Sequence, residues 1–234
     1  LGGEVRMLQS ARTGALAMVV SATAPLENTV PEFSVLSAPF LFKDLDQANA
    51  VLQGEVGQHF MNYLPSRGLI GLGFVSAIER NVYTSKRPIK TLKDFANQKL
   101  RVIQSPAYVD TYQALGAQPT PMAYSEVYIS MQNGVVDGAE NSPDTMIMDR
   151  FVEVSKFFNM TKVHYMPAIV VISKARLEAL SKEQQTLVRD AARDALPHAI
   201  ESYKKTYDES MAKIKEAKVE IVDVDTADMI KATR

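Results

Sequence analysis

Cysteine and tryptophan are both missing from this 234-residue chain. Without cysteine there are no disulfide frameworks, no thiolate chemistry and no Cys-based zinc sites. The absence is compatible with an oxidising compartment, where stray thiols are a hazard. Histidine is scarce: His59, His164 and His198, none three or four residues from another. A metal would have to rest almost wholly on carboxylates, so neither a metal site nor a cofactor is expected. No charge sign dominates, with 26 basic against 27 acidic residues and a net charge of −1. That balance gives no field for nucleic acid, and no nucleic-acid partner is expected. No apolar run approaches the roughly 20 residues of a membrane span, so the chain is not expected to be membrane-spanning itself. The phosphate loop G-x-x-x-x-G-K-[ST], the dinucleotide fingerprint G-x-G-x-x-G and the nucleophile elbow G-x-S-x-G are all missing. Gly71-Leu72-Gly73 lacks the third glycine and runs on into strand residues. No catalytic residue is assigned, and the chain is not expected to be an enzyme.

What is present describes a folded α/β protein. Hydrophobic residues make up 46% and charged residues 23%, enough apolar content to form a core. Met7, Leu8, Ala11, Ala15 and Leu16 form one helical stripe within 3–18, followed by a short strand at Met18-Val19-Val20. Residues 31–42 are apolar but irregular, and 45–64 return to helical spacing. Leu69 to Ile78 reads as a buried strand, and Val82 to Ser85 as another. Thr91 caps a first helical turn. Lys99 to Ile103 reads as a strand and 106–115 as the helix after it, with Gly116 at the C-terminal cap. Pro119 and Pro121 mark an extended stretch. Ser125 to Gln132 reads as a helix, and Val135-Val136 as a short strand running into DGAEN. Ala168 to Ile172 is a further strand. Ser181 to Gln184 has capping-box spacing and opens a long helix to about Lys218, with a kink expected at Pro197. Val219 to Val222 is the last strand. Alternating strands and helices point to an α/β class with mostly parallel pairing.

Two basic residues stand out. Arg101 lies inside the otherwise apolar strand Leu100-Arg101-Val102-Ile103. A permanently charged guanidinium there must meet an anion, either a core-edge carboxylate or the carboxylate of a ligand. Arg80, at the end of the 69–78 run, is the second candidate. Lys86 and Arg87 beside Pro88 read as solvated turn residues. Asn141 closes DGAEN, past a short apolar stretch, where it is either a turn residue or a ligand contact at a strand end. His59 and His198 read as surface or half-buried helix residues. His164, before a strand, is either structural or a cleft residue.

Several blocks, in order, span almost the whole chain: LGGEVRMLQSARTGALAMVV (1–20), VPEFSVLSAPFLFKD (30–44), RNVYTSKRPIKTLKDFANQKLRV (80–102), LGAQPTPMAYSEVYISMQNGVVDGAEN (115–141) and LSKEQQTLVRDAARDA (180–195). Together they resemble the substrate-binding subunits of tripartite ATP-independent periplasmic (TRAP) transporters, the dicarboxylate-binding type. The resemblance implies a two-lobe, periplasmic-binding-protein-like α/β fold with a long bracing helix and a ligand cleft between lobes. Lobe one would take 1–80, lobe two most of 81–175 with crossing strands, and 176–234 the kinked helix and a return to lobe one. It implies that an N-terminal strand and helix precede LGGE, after a signal peptide in the precursor. Arg101, in the K-[LI]-R-V motif, would salt-bridge the ligand carboxylate; Arg80 would assist and Asn141 would contact the ligand. Glu4, Gln104 and Tyr124 fall at positions that can line the cleft. The implied function is periplasmic capture of a small organic acid, a sugar acid or C4 dicarboxylate, for delivery to membrane permease subunits. A ligand-sensing domain or an enzyme on a similar scaffold are the alternatives. Asn97-Gln98 displaces the glycine usual before K-[LI]-R, and Asn tolerates the positive φ such a turn needs. Ala17 and Val5 replace the family's common Asp and Arg.

Overall fold

A computed structural model describes residues 2–234. The chain begins with helix α1 (Glu4–Arg12) and strand β1 (Met18–Ala22). Helices α2 (Leu45–Gln53) and α3 (Glu55–Met61) precede the long strand β2 (Leu69–Thr84). Then come β3 (Lys99–Val102), α4 (Pro106–Ala114), β4 (Gln118–Pro121), α5 (Val127–Gln132) and β5 (Gly138–Asn141). Helix α6 (Pro143–Met148), the long strand β6 (Phe157–Ser173), α7 (Lys174–Glu178), α8 (Lys182–Glu216), β7 (Glu220–Val222) and α9 (Ala227–Ala232) complete it. Hydrogen-bonded strand order is β1-β6-β2-β5-β3-β4, with β7 also on β6.

Pairing is mixed, not mostly parallel. β1–β6 and β2–β5 are antiparallel, while β3–β4, β3–β5 and β6–β7 are parallel. The expected strands at 69–78 and 82–85 are one strand of 16 residues, and the expected strand at 168–172 is the end of a strand of 17. The expected helix over 45–64 breaks at Gly54, whose extended backbone ends α2 and starts α3. The strand expected at Val135-Val136 begins instead at Gly138. Thr91 and Asp94 form a capping box on a single 3₁₀ turn. The Ser181–Gln184 box is present as expected, and α8 continues through Pro197. Asn97 takes the left-handed conformation, φ 62°.

The chain forms two compact units. Unit 1 holds 1–36, 42–78 and 166–203; unit 2 holds 37–41, 79–165 and 204–234. Residues 204–234 thus group with unit 2 and not with 1–80, because β7 pairs with Phe157–Asn159 and Ile214 and Val219 enter that unit's core. Unit 1 is built on β1 paired with Ala168–Ile172 and buries Leu8, Leu26, Phe33, Leu64 and Phe74. Asn49 stitches α2 to β2 by accepting the Ala77 amide at 2.8 Å. In unit 2, Tyr83, Val127, Met131, Ala139, Phe151 and Phe158 form a core over β5. Prolines 119 and 121 are tolerated because β4 is the last strand in the order and pairs only with β3.

Candidate functional site

β2, β5 and β3 lie side by side in unit 2, with Tyr83 opposite Ala139 and Ala139 opposite Arg101. Side chains alternate along a strand. Arg101, Ala139 and Tyr83 therefore share one face, and Arg80 and Glu140 share the other. Such close pairing demands glycine at 138, where a Cβ would sit 2.3 Å from the Tyr83 carbonyl oxygen. The two faces meet where β3 ends, and there the Ile103 amide donates to Glu140 Oε1 at 3.3 Å.

At that strand end two guanidiniums converge on one carboxylate. Arg80 Nε donates to Glu140 Oε2, its Nη2 to the Glu140 carbonyl at 2.7 Å, and its Nη1 to Asn141 Oδ1 at 3.1 Å. Arg101 Nη1 stands 3.8 Å from Glu140 Oε1, and its Nε and Nη2 donate to the Met122 carbonyl at 3.1 and 2.9 Å. Exposure is 3% for Arg80, 2% for Arg101, 1% for Glu140 and 8% for Asn141. Burial alone would lower the Arg80 pKa, but Glu140, with smaller contributions from Tyr108 and Tyr112, acts the other way and the net shift is upward. The cation stays charged in a low-dielectric setting, where its attraction for an anion is strongest.

Of the expected site residues, Arg101, Arg80 and Asn141 come together here. Tyr124 joins them: its ring centroid is 6.0 Å from the Arg101 guanidinium carbon, and its hydroxyl donates to Asp149. Burial, then Asp149, raises the Tyr124 pKa, so the phenol stays protonated. Gln104 is exposed two residues past β3. Glu4 belongs to unit 1, where its Oε1 accepts the Ala22 amide at 2.8 Å and the Ser21 hydroxyl at 3.2 Å. That engagement ties α1 to β1.

Glu140 is the residue that sequence reasoning passed over, although it sits inside DGAEN. A carboxylate one position before Asn141 was the available signal. Asp137, at the start of that motif, pairs with Lys86 at 2.7 Å and accepts the Lys99 amide at 3.1 Å. Tyr108 was also missed; its ring lies 6.0 Å from the Arg80 guanidinium carbon and stacks on His164 at 4.0 Å. His164 is a buried residue of unit 2, its pKa pushed down to about 3 by burial and then by Arg80. His59 bonds Tyr63 on an exposed surface, and His198 is exposed on α8. Among the described residues no group of three or more His, Cys, Asp or Glu side chains is arranged to hold a metal ion. No helix among them is long and apolar enough to cross a membrane.

The family model "bacterial extracellular solute-binding protein, family 7" matches residues 1–234. The 2,3-diketo-L-gulonate-binding periplasmic protein of Escherichia coli is 31% identical over 95% of this chain, which spans 68% of that protein. A TRAP periplasmic solute-binding protein from Bradyrhizobium, solved with galacturonate, is 37% identical and superposes with a TM-score of 0.96 over 100% of this chain and 78% of its own. Another from Polaromonas, bound to D-erythronate, is 32% identical with a TM-score of 0.96, over 99% and 77%. These proteins bind ligands for transport, and the neighbours share the mixed α/β fold with its open sheet and long helix. The chain belongs to family 7 of the bacterial extracellular solute-binding proteins, the substrate-binding subunits of TRAP transporters.

Proposed function

We propose that this chain captures a small hydroxylated carboxylic acid, a sugar acid of the uronate or aldonate class, and delivers it unchanged to a membrane permease from the periplasm. The observation that carries this reading is the convergence of two buried guanidiniums and the Asn141 amide at adjoining strand ends. A planar guanidinium matches a carboxylate in bidentate fashion. Arg101, 2% exposed within the strand Leu100-Arg101-Val102, is the principal clamp, and Arg80, held by Glu140 and Asn141, assists it. Asn141, Gln104 and Tyr124 supply polar groups for hydroxyls. The galacturonate and erythronate carried by neighbours fit that chemistry. Arginine and asparagine recognise an acid without supplying a proton-transfer group near neutral pH, which supports binding without conversion.

The test is a thermal-shift screen with D-galacturonate, D-glucuronate, D-erythronate and succinate. A ligand at 100 times its Kd stabilises the fold by about 2.7 kcal/mol, or roughly 5–10 °C for a chain of this size. The sugar acids should give the largest shifts, and mass spectrometry after denaturation should recover the acid unaltered. No shift with any of the four, or steady accumulation of a product, would overturn the proposal.

A further inference from the structure

Tyr83 is fully buried on β2, and its hydroxyl has no hydrogen-bond partner among the described residues. Its ring needs no explanation: it packs in the unit 2 core, with the Phe151 centroid 5.2 Å away at 45°. Phenylalanine would supply that packing without burying an unsatisfied polar atom, which costs stability. The hydroxyl is the part to account for.

Its place in the sheet gives the account. Tyr83 is opposite Ala139, and Ala139 is opposite Arg101, so the phenol and the guanidinium rise from one face two strands apart. That is roughly 10 Å of backbone separation. Ala139 between them is small, and two long side chains can lean together over its methyl group. Charges at the site register on the phenol. Burial raises its pKa, and Arg101 is the largest charged influence, acting in the opposite direction. The phenol therefore stays protonated near neutral pH and can donate as well as accept.

We propose that Tyr83 is a specificity-determining residue, its hydroxyl a hydrogen-bonding position completed by a hydroxyl of the bound acid near the carboxylate, directly or through one water. The inference rests on the reading of Arg101 as the carboxylate clamp. It adds that the site distinguishes hydroxy acids from acids of similar size without hydroxyls. A tyrosine kept for a ligand at a cost in stability behaves differently from one kept for packing.

The test is Tyr83→Phe, which keeps the ring and removes one oxygen. Unliganded, the variant should melt no lower than the wild type. Its calorimetric affinity for the hydroxy acid giving the largest thermal shift, among D-galacturonate, D-glucuronate and D-erythronate, should fall about five- to tenfold, the worth of one hydrogen bond. Any affinity for succinate should be unchanged. Arg101→Lys is measured in parallel, because it must weaken every acid. If Arg101→Lys loses binding and Tyr83→Phe does not, the inference on Tyr83 is overturned and the clamp stands. If Tyr83→Phe melts well below the wild type and weakens all acids equally, the hydroxyl is structural and the inference is also overturned. If Arg101→Lys binds normally, or no sugar acid binds, the clamp itself fails and takes the inference with it.

Discussion

Glu140→Gln replaces a buried carboxylate with an amide of nearly the same shape. In the wild type Glu140 is 1% exposed, engages Arg80 through Oε2, stands 3.8 Å from Arg101 Nη1 and accepts the Ile103 amide. The substitution leaves two buried guanidiniums facing a neutral group. Breaking a buried ion pair by removing one partner costs about 3–5 kcal/mol. Glutamine keeps one acceptor oxygen, and the Glu140 carbonyl still receives Arg80 Nη2, so the lower end of that range applies. For a chain of 150–250 residues each kcal/mol moves the midpoint by about 2–4 °C. Calorimetric melting without ligand should thus fall by roughly 6–12 °C. Saturating sugar acid should recover part of the loss, because its carboxylate brings a negative charge to the same guanidiniums. A variant melting within about 1 °C of the wild type would refute the argument that Glu140 is the counterion of this cluster.

Two further outcomes follow from the same structure. The His164 pKa falls from an ordinary 6.5 to about 3 in the fold; the unfolded state therefore binds a proton that the native state refuses, and stability present above pH 6.5 is lost as pH falls toward 3. Denaturant unfolding should show about 2 kcal/mol less stability at pH 5 than at pH 7 from this group, and His164→Asn should remove that share of the slope; an identical slope in the variant would contradict it. Gly138→Ala places a methyl group 2.3 Å from the Tyr83 carbonyl oxygen, a backbone atom that cannot turn aside. A loss of about 1–3 kcal/mol is expected, read by thermal melting; unchanged stability would show that β2 and β5 can part there without cost.

The sequence showed the site's cations more clearly than its organisation. Arg101 was visible because a charge inside Leu100-Arg101-Val102 demands an anion wherever the strand is buried. Its two possible anions, a core-edge carboxylate and a ligand, could not be separated on the sequence, and the structure supplies the first in Glu140. That pairing joins residues 60 positions apart in the case of Arg80, a separation that no local pattern encodes. Tyr83 and Tyr108 looked like ordinary strand and helix residues; only strand register puts Tyr83 on the face that Arg101 shares, and only the fold brings the Tyr108 ring to 6.0 Å from the Arg80 guanidinium carbon. The long strands were read short because β2 carries Gly71, Gly73, Glu79 and Arg80, which interrupt an apolar run without ending the hydrogen-bonded ladder. Gly54 was overlooked as a helix break because apolar spacing continues across it. Caps and turns with their own chemistry, such as Ser181 with Gln184 and the left-handed Asn97, were legible because local sequence alone determines them.

Titration calorimetry of D-galacturonate into the wild type and Arg101→Lys tests the central claim most directly. Lysine keeps the charge but loses the planar fork. Truncating one partner of a buried, hydrogen-bonded charge pair costs about 2–5 kcal/mol, so the wild type should bind one equivalent and the variant should bind at least about 30-fold more weakly. Equal affinity in the two proteins, or no heat of binding in the wild type, would contradict the assignment of Arg101 as the clamp of a sugar-acid carboxylate.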